Sequence, residues 1–182
     1  MDKMDTNYNV IGVIKSQLCA MIANSEKVRE ALDYKGSNSK DYDPEDPLSL
    51  IYNCIFPYLQ HPETITTTEP LVFVGTKLSE NPRNPYLVNT IVNIVCNVDK
   101  DDIRTRKGYF RKDLLEMGCL CYTKPDWVID EIIKCLSSFK GTWIGDIENV
   151  ETTEYAMNNT RYVREVVFRL KDVNIGKLLQ NG

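Results

Sequence analysis

The sequence of 182 residues has a single histidine, His61. Histidine-assisted catalysis by serine or cysteine therefore has one possible base, and Pro62 beside it adjoins no nucleophile motif, so a surface histidine is the simpler reading. Gly36, Gly75, Gly108, Gly118, Gly141 and Gly145 stand isolated, with neither Walker nor dinucleotide spacing, which disfavours a nucleotide cofactor. Long apolar runs are also missing. The stretch 10–14 is interrupted by Lys15, Gln17 and Asn24 well short of a secretory core or a membrane span, and a cytoplasmic chain without membrane contact is expected. Nor is there an excess of positive charge. With 22 basic against 26 acidic residues the net charge is −4, so any nucleic-acid contact has to be local.

What is present is ordinary globular material: 42% hydrophobic and 26% charged residues, enough for one domain spanning 1–182. Of six cysteines, Cys19, Cys54, Cys96 and Cys135 fall inside periodic apolar segments and read as reduced core thiols. Cys119 and Cys121 are two apart, which is not a zinc spacing, and no metal or other cofactor is expected. Without a secretion signal, the sequon Asn158-Asn159-Thr160 is only a polar turn.

Periodicity gives the elements. Ile11, Ile14, Leu18 and Met21 form one stripe of an amphipathic helix over 8–23. Ser25 caps a second helix through Tyr34, with Val28, Ala31 and Leu32 inward and Gly36 as its stop. After a polar connection, acidic caps at Asp43 and Asp46 with Pro44 and Pro47 start a third helix carrying Leu48, Ile51, Tyr52 and Ile55, which ends at Pro57. A short strand is expected over 71–76, closed by Gly75 and the turn region 81–85. Val88, Thr90, Val92, Ile94, Cys96 and Val98 alternate along one face of a long strand that makes a meander with it. Segment 114–122 reads as a strand or a bent helix. Pro125 and Asp126 open a fourth helix with Val128, Ile129, Ile132, Ile133 and Leu136 inward and Gly141 at its close. Strands 143–150 and 162–171 then form a projecting hairpin, followed by a short apolar tail over 173–179.

Two charged clusters are the remaining candidates for chemistry. Acids at Asp99, Asp101 and Asp102, and again at Asp146, Glu148, Glu151 and Glu154, suggest magnesium ligands, with Asp146 and Glu148 on one strand face. A solvated acidic face is the plainer alternative. Arg104, Arg106, Lys107, Arg111 and Lys112 surround Tyr109 and Phe110, a mixture that grips a phosphate backbone or another protein subunit. No sequence-specific DNA-reading motif is present.

Taken in order, an amphipathic helix, a helical insertion, a short and a long strand, a charged loop, a helix of about four turns and a closing hairpin resemble the tail-terminator, or tail-completion, proteins of tailed bacteriophages. The resemblance covers 7–23 and 71–171. Its phrases are Ile91-Val92-Asn93-Ile94-Val95, Asp126-Trp127-Val128-Ile129-Asp130-Glu131-Ile132-Ile133 and Tyr162-Val163-Arg164-Glu165-Val166-Val167-Phe168. It implies an α+β fold, an antiparallel or mixed sheet of about four strands packed on two main helices, with a helical insertion over 35–67 and a C-terminal tail over 172–182. It also implies a virion structural protein of the neck and not an enzyme. Identical copies would form a ring, a hexamer or higher, between portal-side connector and tail proteins, around passing DNA held without sequence specificity. Stretches 33–67 and 99–123 are longer than that family's usual connections and would serve further neighbours, as in a connector or stopper. On this reading the subunit contacts come from Arg104, Arg106, Lys107, Tyr109, Phe110, Arg111 and Lys112, from Glu148, Glu151, Glu154, Tyr155 and Arg161 of the hairpin, and from the tail. A magnesium-dependent nuclease and a small DNA-binding accessory protein are the readings from other classes.

Overall fold

A computed structural model describes residues 3–36, 39–59, 67–80, 87–100, 123–140, 142–156, 160–174 and 176–177. Among them are three α-helices, α1 (Lys3–Asn24), α2 (Glu26–Leu32) and α3 (Lys124–Ser138). The strands are β1 (Ile55–Phe56), β2 (Leu71–Glu80), β3 (Leu87–Asp99), β4 (Asp146–Ala156) and β5 (Arg161–Asn174). They form one mixed sheet in the order β1-β2-β3-β5-β4, with β1 parallel to β2 and every other pair antiparallel. The α+β class expected from the sequence is the class observed.

Cross-strand register explains how the sheet buries one face. Val72 opposes Cys96, Val74 opposes Ile94, Val92 opposes Phe168, and Ile94 opposes Val166, so these side chains share the side on which the helices lie. There they meet Ile14, Leu18 and Ile22 of α1 and Val128, Ile129, Ile132 and Leu136 of α3 in a continuous core. α1 packs on β2, while α3 packs on β3 and β5. Each fully buried Leu, Ile or Phe contributes roughly 1.5–3 kcal/mol by leaving water.

The opposite face is also partly covered. Phe73 opposes Val95, Asn97 opposes Val163, and all four are buried. Phe56 stacks on Phe73 with ring centroids 5.4 Å apart. The long strand therefore buries residues on both sides, where the sequence pointed to one.

Several boundaries differ from expectation for local reasons. The third helix is absent: Asp46 caps only a 3-10 turn, Pro47–Leu50, and Ile55 pairs with Val72 instead of continuing a helix. α2 stops earlier, at Asp33, which adopts the left-handed conformation and donates its N–H to Arg29 O. Gly36 is also left-handed (φ +67°), but it lies in the following turn under the Tyr42 ring. Gly75 does not close β2, because it lies within the strand and its missing side chain leaves room for Leu59, 3.1 Å from where a Cβ would stand. α3 is capped by Thr123, and its C-cap is Phe139; Gly141 lies outside the described residues. The hairpin's first strand begins at Asp146, after Trp143 and Ile144 have turned into the core.

Candidate interaction surface

Among the described residues, β4 forms one edge of the sheet, and each of its residues 151–156 is exposed. A bulge at Val150 shifts its register: Glu148 opposes Arg169, Asn149 opposes Phe168, and Glu151 then opposes Val167. The shift decides which acids meet cations. Glu148 Oε2 is 3.0 Å from Lys171 Nζ and 3.3 Å from Arg169 Nη1. Asp146 Oδ1 is 2.5 Å from Lys140 Nζ. Lys171 and Lys140 accordingly hold the Glu148 and Asp146 carboxyls below the usual carboxylate range. Asp146 and Glu148 do share a strand face, as expected. Both are already bound to cations of their own chain, and no metal-holding group of three or more His, Cys, Asp or Glu occurs among the described residues.

On the helix side, Glu154 opposes Arg164 and accepts a 2.7 Å hydrogen bond from the Tyr162 hydroxyl. Burial, and then Glu154, push the Tyr162 phenol up to about 12. Arg164 also pairs with Asp126 at the start of α3. Asp126 completes a capping box there: its carboxylate accepts from Thr123 N at 2.7 Å, while Thr123 Oγ1 accepts from Asp126 N. This network fastens the hairpin to the helix. The Thr-x-x-Asp spacing before the apolar stripe is its visible sequence signal; the partner Arg164 has none.

Two other residues named from the sequence lie elsewhere. Tyr155, 38% exposed, stands on the opposite face near Glu165, and burial followed by that carboxylate raises its phenol. Arg161 is only 5% exposed. Its Nε donates to Asn97 Oδ1 at 2.5 Å, and its terminal nitrogens donate to the carbonyls of Thr67 and Glu69. It is an internal clamp on the segment leading into β2 and presents no contact surface. Arg104, Arg106, Lys107, Tyr109, Phe110, Arg111 and Lys112 lie outside the described residues, as do His61, Cys119 and Cys121. The tail begins inside the fold: Val173 is fully buried in β5 and Asn174 N donates to Trp143 O at 3.0 Å.

The thiols expected in the core are free. Burial raises Cys19 and Cys96 to about 12, and raises Cys54 and Cys135 as well. Cys135 is only half-buried. A shallow hollow of about 420 Å³ lies between α1 and α3 beside Met21, Cys135 and Phe139. A smaller one of about 80 Å³ lies beside Arg29, Tyr34, Tyr42 and Asp46. Neither brings a nucleophile together with a base. No helix among the described residues is long and apolar enough to cross a membrane.

Among the described residues the chain is an α+β protein whose hairpin acids Asp146, Glu148 and Glu154 meet cations of the same chain and whose edge strand is exposed over 151–156. Residues 25–171 match the YomW family, and the chain belongs to that phage-associated family. No curated protein gives a significant match. The match runs through 33–67, so the stretch that looks like an insertion beside tail terminators belongs to this family's own span.

Proposed function

We propose that the protein is a structural component of the phage particle, one of several identical copies in a ring at the neck. The ring joins or terminates the tail at the head-tail interface, next to portal-side connector and tail proteins, and encloses the DNA channel without reading sequence. The β4 edge, exposed at each of residues 151–156, carries this reading. A strand edge presents unpaired backbone donors and acceptors to a neighbour, and a head-to-tail contact repeated by rotation closes into a ring. Membership of a phage-associated family supports it. Nuclease chemistry through Asp146 and Glu148 is less well supported, because a magnesium ion would have to displace Lys140, Lys171 and Arg169.

Mass spectrometry of purified virions tests the reading, together with electron microscopy of particles labelled on this chain. The expected result is a fixed multiple of copies per particle, located at the neck. Absence from mature virions overturns it.

A further inference from the structure

We infer that the hollow of about 80 Å³ between the end of α2 and the 3-10 turn is a binding site for a carboxylate group, with the Arg29 guanidinium as its cationic partner. This site is independent of the ring reading above, and either can fail alone.

Arg29 is the reason to look there. It lines the hollow from the last turn of α2, and its Nε is buried without a hydrogen-bond partner. Among the described residues no carboxylate forms an ion pair with its guanidinium. A buried donor left unmade costs free energy that an incoming acceptor recovers, and the guanidinium fork matches the two oxygens of a carboxylate.

The rest of the hollow suits such a group. Tyr34 and Tyr42 line it, their rings meeting edge to face with centroids 5.0 Å apart, and the Tyr42 ring fills the room that Gly36 leaves by having no side chain. Burial raises the Tyr34 phenol to about 12 and raises that of Tyr42 as well, so both hydroxyls keep their protons and remain donors at neutral pH. Leu32 and Leu50, both buried, supply apolar wall for the carbon that bears the carboxylate. The space holds roughly five to eight waters, enough for a carboxylate and a few carbons.

Neighbouring charge selects the ligand. Asp46, also lining the hollow, accepts from Leu48 N at 2.9 Å, and Glu69, near both phenols, accepts from Lys35 N at 3.0 Å. Two fixed carboxylates so close oppose a phosphate dianion more than a singly charged group. A monoanion is what the guanidinium can hold here.

The test uses ¹H–¹⁵N spectra of the full ¹⁵N-labelled chain, which include arginine Nε–H signals. Sodium propionate is the small-carboxylate probe, and acetyl-Ala-Glu-Ala-amide carries the same group on a protein side chain. Sodium chloride at equal ionic strength and inorganic phosphate are the controls. The Arg29 Nε–H signal and the amides of Tyr34 and Tyr42 are expected to shift saturably with carboxylate in the millimolar range, and not with chloride. Arg29→Gln is expected to weaken binding about tenfold or more with unchanged circular dichroism. Tyr42→Phe, which keeps the ring against Tyr34, is expected to weaken it about threefold and preserves the comparison if Arg29→Gln does not fold. Tighter binding of the tripeptide than of propionate assigns the site to an acidic side chain of a neighbouring protein; the reverse order assigns it to a free small carboxylate. The inference is overturned by the lack of a saturable shift, by shifts that chloride reproduces, by phosphate binding more tightly than either carboxylate, or by binding that neither variant weakens. The ring reading is untouched by these results, since virion composition decides it.

Discussion

Arg161 keeps a guanidinium inside the protein by giving it three oxygen acceptors: Asn97 Oδ1 and the Thr67 and Glu69 carbonyls. Burial works against its charge and nearby Asp99 favours it. Replacing it with an apolar chain strands those acceptors, so Arg161→Met is expected to lower the unfolding free energy by about 2–4 kcal/mol, measured by urea denaturation. Tyr52 poses the reverse case. It is 65% exposed yet sits at φ +69°, held there by its N–H donating to Ile55 O at 2.8 Å and by Cys54 N donating to Leu50 O at 2.9 Å. A bulky side chain in the left-handed region costs about 1–2 kcal/mol, and this ring buries little in return. Tyr52→Gly is expected to stabilise the chain by about 1 kcal/mol in the same assay; a loss of stability shows instead that the ring is needed for packing.

At the level of elements, α3 and the hairpin depend on polar groups at their ends. Thr123→Ala removes one half of the capping box and is expected to cost about 1 kcal/mol. Asp126→Ala removes the other half and also leaves the partly buried Arg164 short of a countercharge, so about 3 kcal/mol is expected. The hairpin's exposed pairs show themselves through pH. Lys171 lowers the Glu148 carboxyl from its ordinary 4.5, so the stabilisation is complete above that value and is lost as pH falls through the lower folded value. Glu148→Gln should flatten the melting temperature against pH in that acid range. The alternation of β3 and the apolar stripe of α3 were legible because each repeats over many residues against polar neighbours. The 3-10 turn was not. Leu48, Ile51, Tyr52 and Ile55 have helical spacing, but the parallel pairing of β1 with β2 claims Ile55, and nothing local announces that pairing. The acids of the hairpin were visible as acids, whereas their partners depend on a bulge at Val150 that leaves no compositional mark.

At the scale of the whole molecule, the strand order decides how the chain can fold. β5, the last strand, lies inside the sheet between β3 and β4. It contributes Val166, Phe168 and Leu170 to the face under α3, and its other end contributes the Arg161 clamp. Among the described strands, β3 has no neighbour on one side and β4 none at all until β5 is in place, so a chain that stops short of it cannot complete the core. Such pairing between distant parts of the sequence folds slowly. A chain ending at Thr160 is therefore expected to show neither cooperative melting nor near-ultraviolet dichroism, whereas one ending at Asn174 keeps both. In the longer chain, the fluorescence of Trp127 on α3 and Trp143 before β4, both buried, should follow the same urea transition as backbone dichroism. Separate midpoints would mean that the helix layer and the hairpin end unfold independently, and the network of Asp126, Arg164 and Glu154 would then not be the fastening between them.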